Sequence, residues 1–297
     1  MTAINGPHDH QPERMAWSQR VSTRHLISRA LVTIILGLVA ILFLAPLLWM
    51  VSSSLKPLSD VFSPAWIPDP VAWENYPDAL SSSPFGIYFR NTLLITVLST
   101  IGAMLSTSAV AYSFARLNWP GRDLLFGLVL ATMMLPGFVT LIPTYILFAR
   151  IGWVNTFLPL IVPAWLGGNA FFVFLLRQFY RGIPIELTES ARIDGAGEVR
   201  IWWQIIMPLS MPALATITIF AFNGAWQDYR GPLIYLHSER LYTLQIGLTT
   251  FRAGGGGIPL GDWMMAASLV VMLPILLVFF MGQRFFLQSV SLTGLKG

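Results

Sequence analysis

From Ala30 to Val51 the chain runs 22 residues without a charge, and this run limits the possible folds more than any other feature. As a helix rising 1.5 Å per residue it crosses a hydrocarbon core of roughly 30 Å. It is longer than the apolar core of a signal peptide, and no small-x-small cleavage site follows it. An uncleaved spanning helix is expected. Charges bracket five further runs, Arg90 to Arg116, Asp123 to Arg150, Arg150 to Arg177, Arg200 to Asp228 and Asp262 to Arg284. The expected fold is therefore all-α, a polytopic membrane protein with six transmembrane helices.

Composition agrees, with 55% hydrophobic and 11% charged residues and a mean hydropathy of +0.65. The absence of cysteine excludes disulfides, thiolate nucleophiles and thiolate metal sites. A net charge of +4, scattered at span ends, argues against a nucleic-acid partner.

Six spans put both termini on one side of the bilayer. If that side is cytoplasmic, it holds twelve of the 18 Lys and Arg residues: Arg14, Arg20, Arg24, Arg29, Arg116, Arg122, Arg177, Arg181, Arg192, Arg200, Arg284 and Lys296. Six lie outside, which satisfies the positive-inside bias. The expected division is a cytoplasmic tail over 1–29, a six-span domain over 30–292 and a cytoplasmic tail over 293–297.

One long polar island, residues 181–208, interrupts this pattern. Glu186, Glu189, Arg192, Asp194, Glu198 and Arg200 place six charges in fifteen residues, whereas Leu124 to Leu176 carries only Arg150. Such a cluster cannot sit in hydrocarbon. Pro184 suits a first helical position, and Glu186 and Glu189 favour the positive end of the helix dipole. Ile183, Leu187 and Ala191 give one apolar stripe, free to fill a groove on a partner, and Gly195 and Gly197 let the chain turn. A second helix then carries Ile201, Trp202, Ile205 and Ile206 back toward the membrane, up to Pro208 and Pro212. On these residues alone the island is either a cytoplasmic two-helix docking loop or an interfacial helix resting on headgroups.

The spacing carries more. Glu189-Ser190-Ala191, Gly195, then Ile205 and Met207-Pro208 resembles the signature loop of ABC-importer permeases. There Glu-Ala-Ala is followed by Gly four residues after the second Ala and by Ile-x-Leu-Pro further on. Ser190 stands for the usual Ala and Met207 for the usual Leu. Ile183-Pro184, Glu186-Leu187, Ile193-Asp194-Gly195-Ala196, Ser54-Leu-Lys-Pro57, Glu74-Asn-Tyr76 and the closing Leu292-Thr-Gly-Leu-Lys-Gly297 are similar to the carbohydrate-uptake, maltose-type branch. The resemblance runs from about the first span to the last residue.

It implies a permease subunit of a binding-protein-dependent importer in a bacterial or archaeal inner membrane, moving a sugar or oligosaccharide. A polyol or glycerol phosphate is the alternative cargo within the family. The chain would not itself be an enzyme, since ATP and Mg would be bound by two cytoplasmic ATPase subunits. A second permease chain and an external solute-binding protein complete the implied assembly. Glu189, Ser190, Ala191, Asp194, Gly195, Ile205 and Pro208 would form the surface coupled to the ATPase.

Residues of a solute path are less sharply marked. Asn169 follows Gly167-Gly168 in the fourth span, and Asn223, Trp226, Gln227 and Asp228 gather at the outer end of the fifth. Aromatic rings beside amides and a carboxylate suit a saccharide, and they suit an interfacial belt equally. The family carries a Trp-Asn-acid-aromatic segment here, from which Gln227 departs. Pro136-Gly137, Pro143 and Pro163 break the middle spans, as happens beside cavities and in plain kinked contacts alike. Gly102, Ala103, Ser106, Thr107 and Ala111 in the second span allow a neighbouring helix to approach closely. Residues 52–89 are expected to form an external loop with Trp66, Trp73 and Tyr76 at the interface, and Gly254 to Gly257 a flexible outer tip.

Other classes fit less well. Neither Lys56 nor Lys296 lies in a phosphate-binding loop, and no His-Glu-x-x-His occurs. His8-Asp9-His10 lacks a third ligand for a metal. An ion-coupled secondary carrier, the competing mechanism, needs an ionisable or broken-helix site at the midplane and an internal repeat, and no clear repeat is present.

Overall fold

The computed structural model describes residues 23–253 and 260–294. His8-Asp9-His10, Gly254 to Gly257 and residues 295–297 lie outside the described residues. Among those described there is no strand. Four helical stretches are long and apolar enough to cross a membrane, and two bent helix pairs bring the number to six.

Helix α1, Thr23–Ser54, is apolar all round. Leu31, Leu36, Leu42 and Phe43 are all exposed, as expected of a helix solvated by hydrocarbon. Of the described residues, 23–49 fall in one compact unit and those from Met50 onward in the other.

The second unit is built on α3, Phe85–Arg116, preceded by the short α2, Asn75–Ser81. Next come α4, Arg122–Thr132, and α5, Gly137–Arg150, which meet at 103°. Pro136 explains the break, because it lacks an N–H and its ring excludes the preceding turn from helix. Then follow α6, Leu158–Trp165, and α7, Ala170–Arg181, which together give the fourth span. α3 packs against both, and against α11, Met211–Trp226. The last span is α14, Gly261–Gly294, which packs on α11 and on α13, Leu244–Ala253.

Small residues on α3 make these contacts possible. A β-carbon on Gly102 would fall 2.4 Å from the Trp165 ring, so α6 rests against bare backbone. Hydroxyls on the same helix then serve the irregular chain opposite. Ser99 donates to the Leu160 carbonyl at 3.0 Å and Ser106 to the Ala164 carbonyl at 2.7 Å, while Ser106 accepts from the Gly167 N–H at 3.1 Å. Gly167 turns the chain at φ +74°, and the Asn169 carboxamide oxygen accepts from the N–H groups of Phe171 and Phe172 to start α7. Side chains thus take up several of the backbone groups that the break between α6 and α7 leaves open.

Residues 52–76 differ in part from the interfacial belt expected for them. Trp66 and Trp73 are exposed, but Tyr76 turns inward and its hydroxyl lies 2.8 Å from Ser54 Oγ. The buried Asn75 carboxamide donates to the carbonyls of Ser54 and Lys56 at 2.9 and 2.8 Å. Lys56, 1% exposed, donates to the Ser63 carbonyl. A buried polar centre, absent from any hydropathy pattern, therefore organises residues 52–76.

Gly102 supplies a direct check. Gly102→Leu should lower stability by about 1–3 kcal/mol or more through overpacking against Trp165, read as a lower thermal aggregation temperature in detergent. Gly86→Ala, on the same helix with nothing within 4 Å of the new carbon, should be near neutral.

Candidate functional site

The polar island folds as two short helices, α8, Glu186–Ile193, and α9, Glu198–Ile201. Pro184 precedes the helix rather than opening it; Ile185 is the N-cap, and its carbonyl accepts from the Thr188 and Glu189 N–H groups. Glu186 and Glu189 lie in the first turn and Arg192 in the last, each of the sign the dipole favours.

Gly195 does what its position suggested. At φ +80° it ends α8 with the Ala196 N–H donating to the Ala191 carbonyl and the Gly195 N–H to the Arg192 carbonyl. These two bonds define a Schellman motif, and the accompanying apolar contact is supplied by Ala191 and Ala196 on one cluster. Asp194 is the exposed C-cap, and Ser190 Oγ donates to the Leu187 carbonyl.

The expected apolar stripe is divided between two faces. Ile183 and Ala191 pack on the chain's own core with Tyr112, Leu176, Tyr180 and Ile201, while Leu187 is exposed. The face turned outward is instead Ile185, Leu187, Ile193 and Val199, with Ile193 87% and Val199 75% exposed. Glu189 is exposed on the same short helix. Periodicity within α8 could not distinguish the two faces, because both carry aliphatic residues. Only the neighbours decide which is covered.

Beyond α9 the backbone widens into a π-helical turn, Trp202–Ile206, continued by the single turn α10, Met207–Leu209. Ile205 is half-buried on the core and Pro208 exposed. The chain then bends by 85° at Ser210, whose buried hydroxyl donates to the Ile206 carbonyl. The run bracketed by Arg200 and Asp228, expected as the fifth span, is therefore two helical pieces bent at Ser210, near the prolines expected to cap or kink it.

One stripe of α3 grips this region. Ser108, Tyr112 and Arg116 recur every four residues on the helix. Ser108 Oγ accepts from Trp202 Nε1 at 2.9 Å and lies 2.7 Å from the Tyr180 hydroxyl. Tyr112 donates its hydroxyl to Glu198 Oε2 at 2.5 Å, and Arg192 Nε donates to Glu198 Oε1 at 2.7 Å. That bond to Glu198 holds the Arg192 proton more firmly than usual. Arg116 Nη2 donates to the carbonyls of Tyr180 and Ile183, closing the end of α7. Glu198 and Tyr112 carry no local sequence signal, since their partners are remote in the chain.

The candidate path residues separate. Asn169 and Asp228 line one cleft of about 470 Å³ together with Ser99, Phe172, Phe220 and Gly224. Gln227 lies beside it with Asp228, Tyr229 and Arg230 on a neighbouring hollow of about 480 Å³. Asn223 is half-buried and bonded to Gln227. Trp226 must be set apart: it is 0% exposed, stacks on Phe222 and donates its indole N–H to the Val271 carbonyl. Its ring fastens α11 to α14 and offers no face to a solute. Asp228 accepts from the Gly231 N–H through Oδ1.

The Schellman turn gives a measurable consequence. Gly195 has open space around it, so a side chain there is opposed by backbone conformation alone. Gly195→Ala should cost the turn about 1–2 kcal/mol, giving roughly tenfold faster hydrogen exchange at the Ala196 amide, with Gly195→Asn intermediate.

Comparison with known proteins follows this geometry. Residues 103–292 match the family described as binding-protein-dependent transport system inner membrane component. The chain is 32% identical over 254 residues to the diacetylchitobiose uptake system permease protein NgcG of Streptomyces coelicolor, covering 85% of this chain and 84% of that one. It is 31% identical over 274 residues to the arabinooligosaccharides transport system permease protein AraQ of Halalkalibacterium halodurans, covering 90% and 96%. It is 32% identical over 266 residues to the sn-glycerol-3-phosphate transport system permease protein UgpE of Pectobacterium atrosepticum, covering 87% and 93%. In fold it is similar to a chain of a bacterial ABC transporter involved in import of the acidic polysaccharide alginate, with a TM-score of 0.78, 23% identity, and coverage of 89% of this chain and 98% of that one. With the signature turn at Gly195 and a family match over most of its length, the chain belongs to the inner-membrane permease components of binding-protein-dependent transport systems.

Proposed function

We propose that this permease carries a neutral sugar or oligosaccharide into the cell, driven by two cytoplasmic ATPase subunits that dock on the outward face of α8 and α9. The observation that carries the docking reading is that face itself. Ile193 and Val199 stand almost fully exposed in a loop otherwise rich in charge, a pattern that suits an aliphatic contact with a soluble partner. Glu189 supplies a carboxylate at its rim, and ATP and Mg are bound by the partner. In this reading Glu189, Ser190, Ala191, Asp194, Gly195, Ile205 and Pro208 form or support the coupling surface.

The cargo is argued from the cleft. Among its described lining residues are an amide, a carboxylate and a hydroxyl but no lysine or arginine, a set that hydrogen-bonds a polyol and holds no cation to balance an anion. The saccharide names of NgcG and AraQ point the same way. Glycerol phosphate is the second reading, favoured by the similarity to UgpE and by Arg230 on the neighbouring hollow. A second permease chain encloses the path from the other side, an external solute-binding protein delivers the cargo, and both termini are cytoplasmic.

Three measurements test this. Val199→Cys in this cysteine-free chain should resist an impermeant thiol reagent in intact cells, whereas Ile67→Cys, 81% exposed in the native chain, should react; the opposite pattern inverts the orientation. Ile193→Asp should insert normally yet weaken ATPase co-purification by about 10- to 100-fold, the loss expected for burying one aliphatic side chain worth roughly 1.5–3 kcal/mol, while Ser190→Ala should be near neutral. Binding of radiolabelled neutral disaccharides, and not of glycerol phosphate, by the external partner protein is expected; the reverse establishes the second reading.

A further inference from the structure

Helix α3 reaches both ends of the proposed machinery without a break. Over 32 residues, Phe85 to Arg116, it carries Ser99 and Ala103 on the cleft and Ser108, Tyr112 and Arg116 on the polar loop. Ala103 and Tyr112 are about 14 Å apart along its axis at 1.5 Å per residue. Proline is absent from its interior, so it lacks the commonest cause of a helix kink.

The loop is fastened to this rod in an uneven way. Through apolar contacts, Ala191 and Ile201 share a core with Tyr112 and Tyr180, and such contacts slide at small cost. Of the directional contacts, Trp202 bonds Ser108 and Arg116 the Ile183 carbonyl, while the one that also reaches α8 runs through one carboxylate. Glu198 accepts from Arg192 of α8 at both oxygens, 2.7 Å at Oε1 and 3.3 Å at Oε2, and its Oε2 also accepts from Tyr112 of α3 at 2.5 Å. It therefore joins the helix before the Gly195 turn, the helix after it and the rod. The tyrosine ring is 4% exposed, which leaves its hydroxyl little freedom to follow Glu198 without moving α3. Charged hydrogen bonds of this kind are short and directional, and resist displacement more than dispersion contacts do.

We propose that Glu198 and Tyr112 are positioning residues for transport: they convert displacement of α8 by the ATPase into movement of α3, and hence into a change at the cleft. This inference rests on the ATPase-docking reading above. Apolar contact alone would let α8 move under load while α3 stayed behind, and the bonds to Trp202 and to the Ile183 carbonyl hold the loop only beyond α8 and before it, so the pair determines how much of the movement of α8 arrives at Ser99 and Ala103.

The test uses the assembled transporter in proteoliposomes, with a reporter that needs no knowledge of the cargo. Gly224 lines the cleft with open space at its β-carbon, and Gly224→Cys is the only cysteine the chain then holds. Its rate of reaction with a small maleimide is measured without nucleotide and after trapping with ATP and vanadate. The parent is expected to show a change of fivefold or more. Tyr112→Phe, which removes one oxygen and keeps the ring, should reduce that change by more than half, with ATPase co-purification and the rate of ATP hydrolysis as in the parent. Glu198→Ala should reduce the nucleotide response likewise, and Glu198→Gln, which still accepts a hydrogen bond at the same reach, should recover at least half of it. A full nucleotide response in Tyr112→Phe overturns the proposal, and so does loss of ATPase association in that variant, which would make the contact merely structural. A parent that binds no ATPase overturns the docking reading and this inference with it, a result distinguished by the parent alone.

Discussion

Hydrocarbon supplies no hydrogen bonds, so a backbone break within the membrane must be satisfied by the protein itself, and between α6 and α7 that duty falls largely on α3. Ser99 and Ser106 take up the carbonyls and the N–H left by the break between α6 and α7. Without them, each unmet group would cost several kcal/mol, as in any apolar medium. Gly102 lets α6 come close enough for those hydroxyls to reach. The cleft containing Asn169 exists because the break is tolerated. Irregular backbone, close approach and a cavity are thus one arrangement seen from three sides.

The same rod anchors the end that carries the polar loop by charge. Arg116 and Arg177, counted among the positive residues that orient the chain, also have local work. Arg116 closes the last carbonyls of α7, and Arg177 donates to the Phe114 carbonyl while its guanidinium lies 3.9 Å from the centre of the Phe126 ring. A buried cation is costly unless its donors are met and its charge faces a favourable field, and helix ends and an aromatic face supply both. Residues counted for the expected orientation therefore also hold the loop together.

The loop itself combines stiffness with exposure. The Schellman turn, the Glu198 bridge and the core contacts of Ile183 and Ala191 determine the shape of α8 and α9. Ile193 and Val199 remain uncovered. A folded surface that keeps apolar residues in water is stabilised from within, so it can present them without collapsing onto them. That combination suits a contact that must form repeatedly and transmit force.

Much of this was written in the chain's linear pattern. Uncharged runs bracketed by charges marked the spans, because crossing hydrocarbon is a one-dimensional demand on length and polarity. Gly195 announced its turn, because a left-handed conformation excludes most side chains wherever it occurs. The spacing from Glu189 to Pro208 carried the family. What the tertiary structure alone decided are pairings across sequence distance: Tyr112 with Glu198, Asn75 with the carbonyls of Ser54 and Lys56, and the burial of Trp226 against α14. It also decided which face of α8 is covered and where the third and fifth spans bend. Local pattern states what a segment can tolerate, whereas burial depends on which neighbours arrive, and those neighbours are 19 to 86 residues away in the chain.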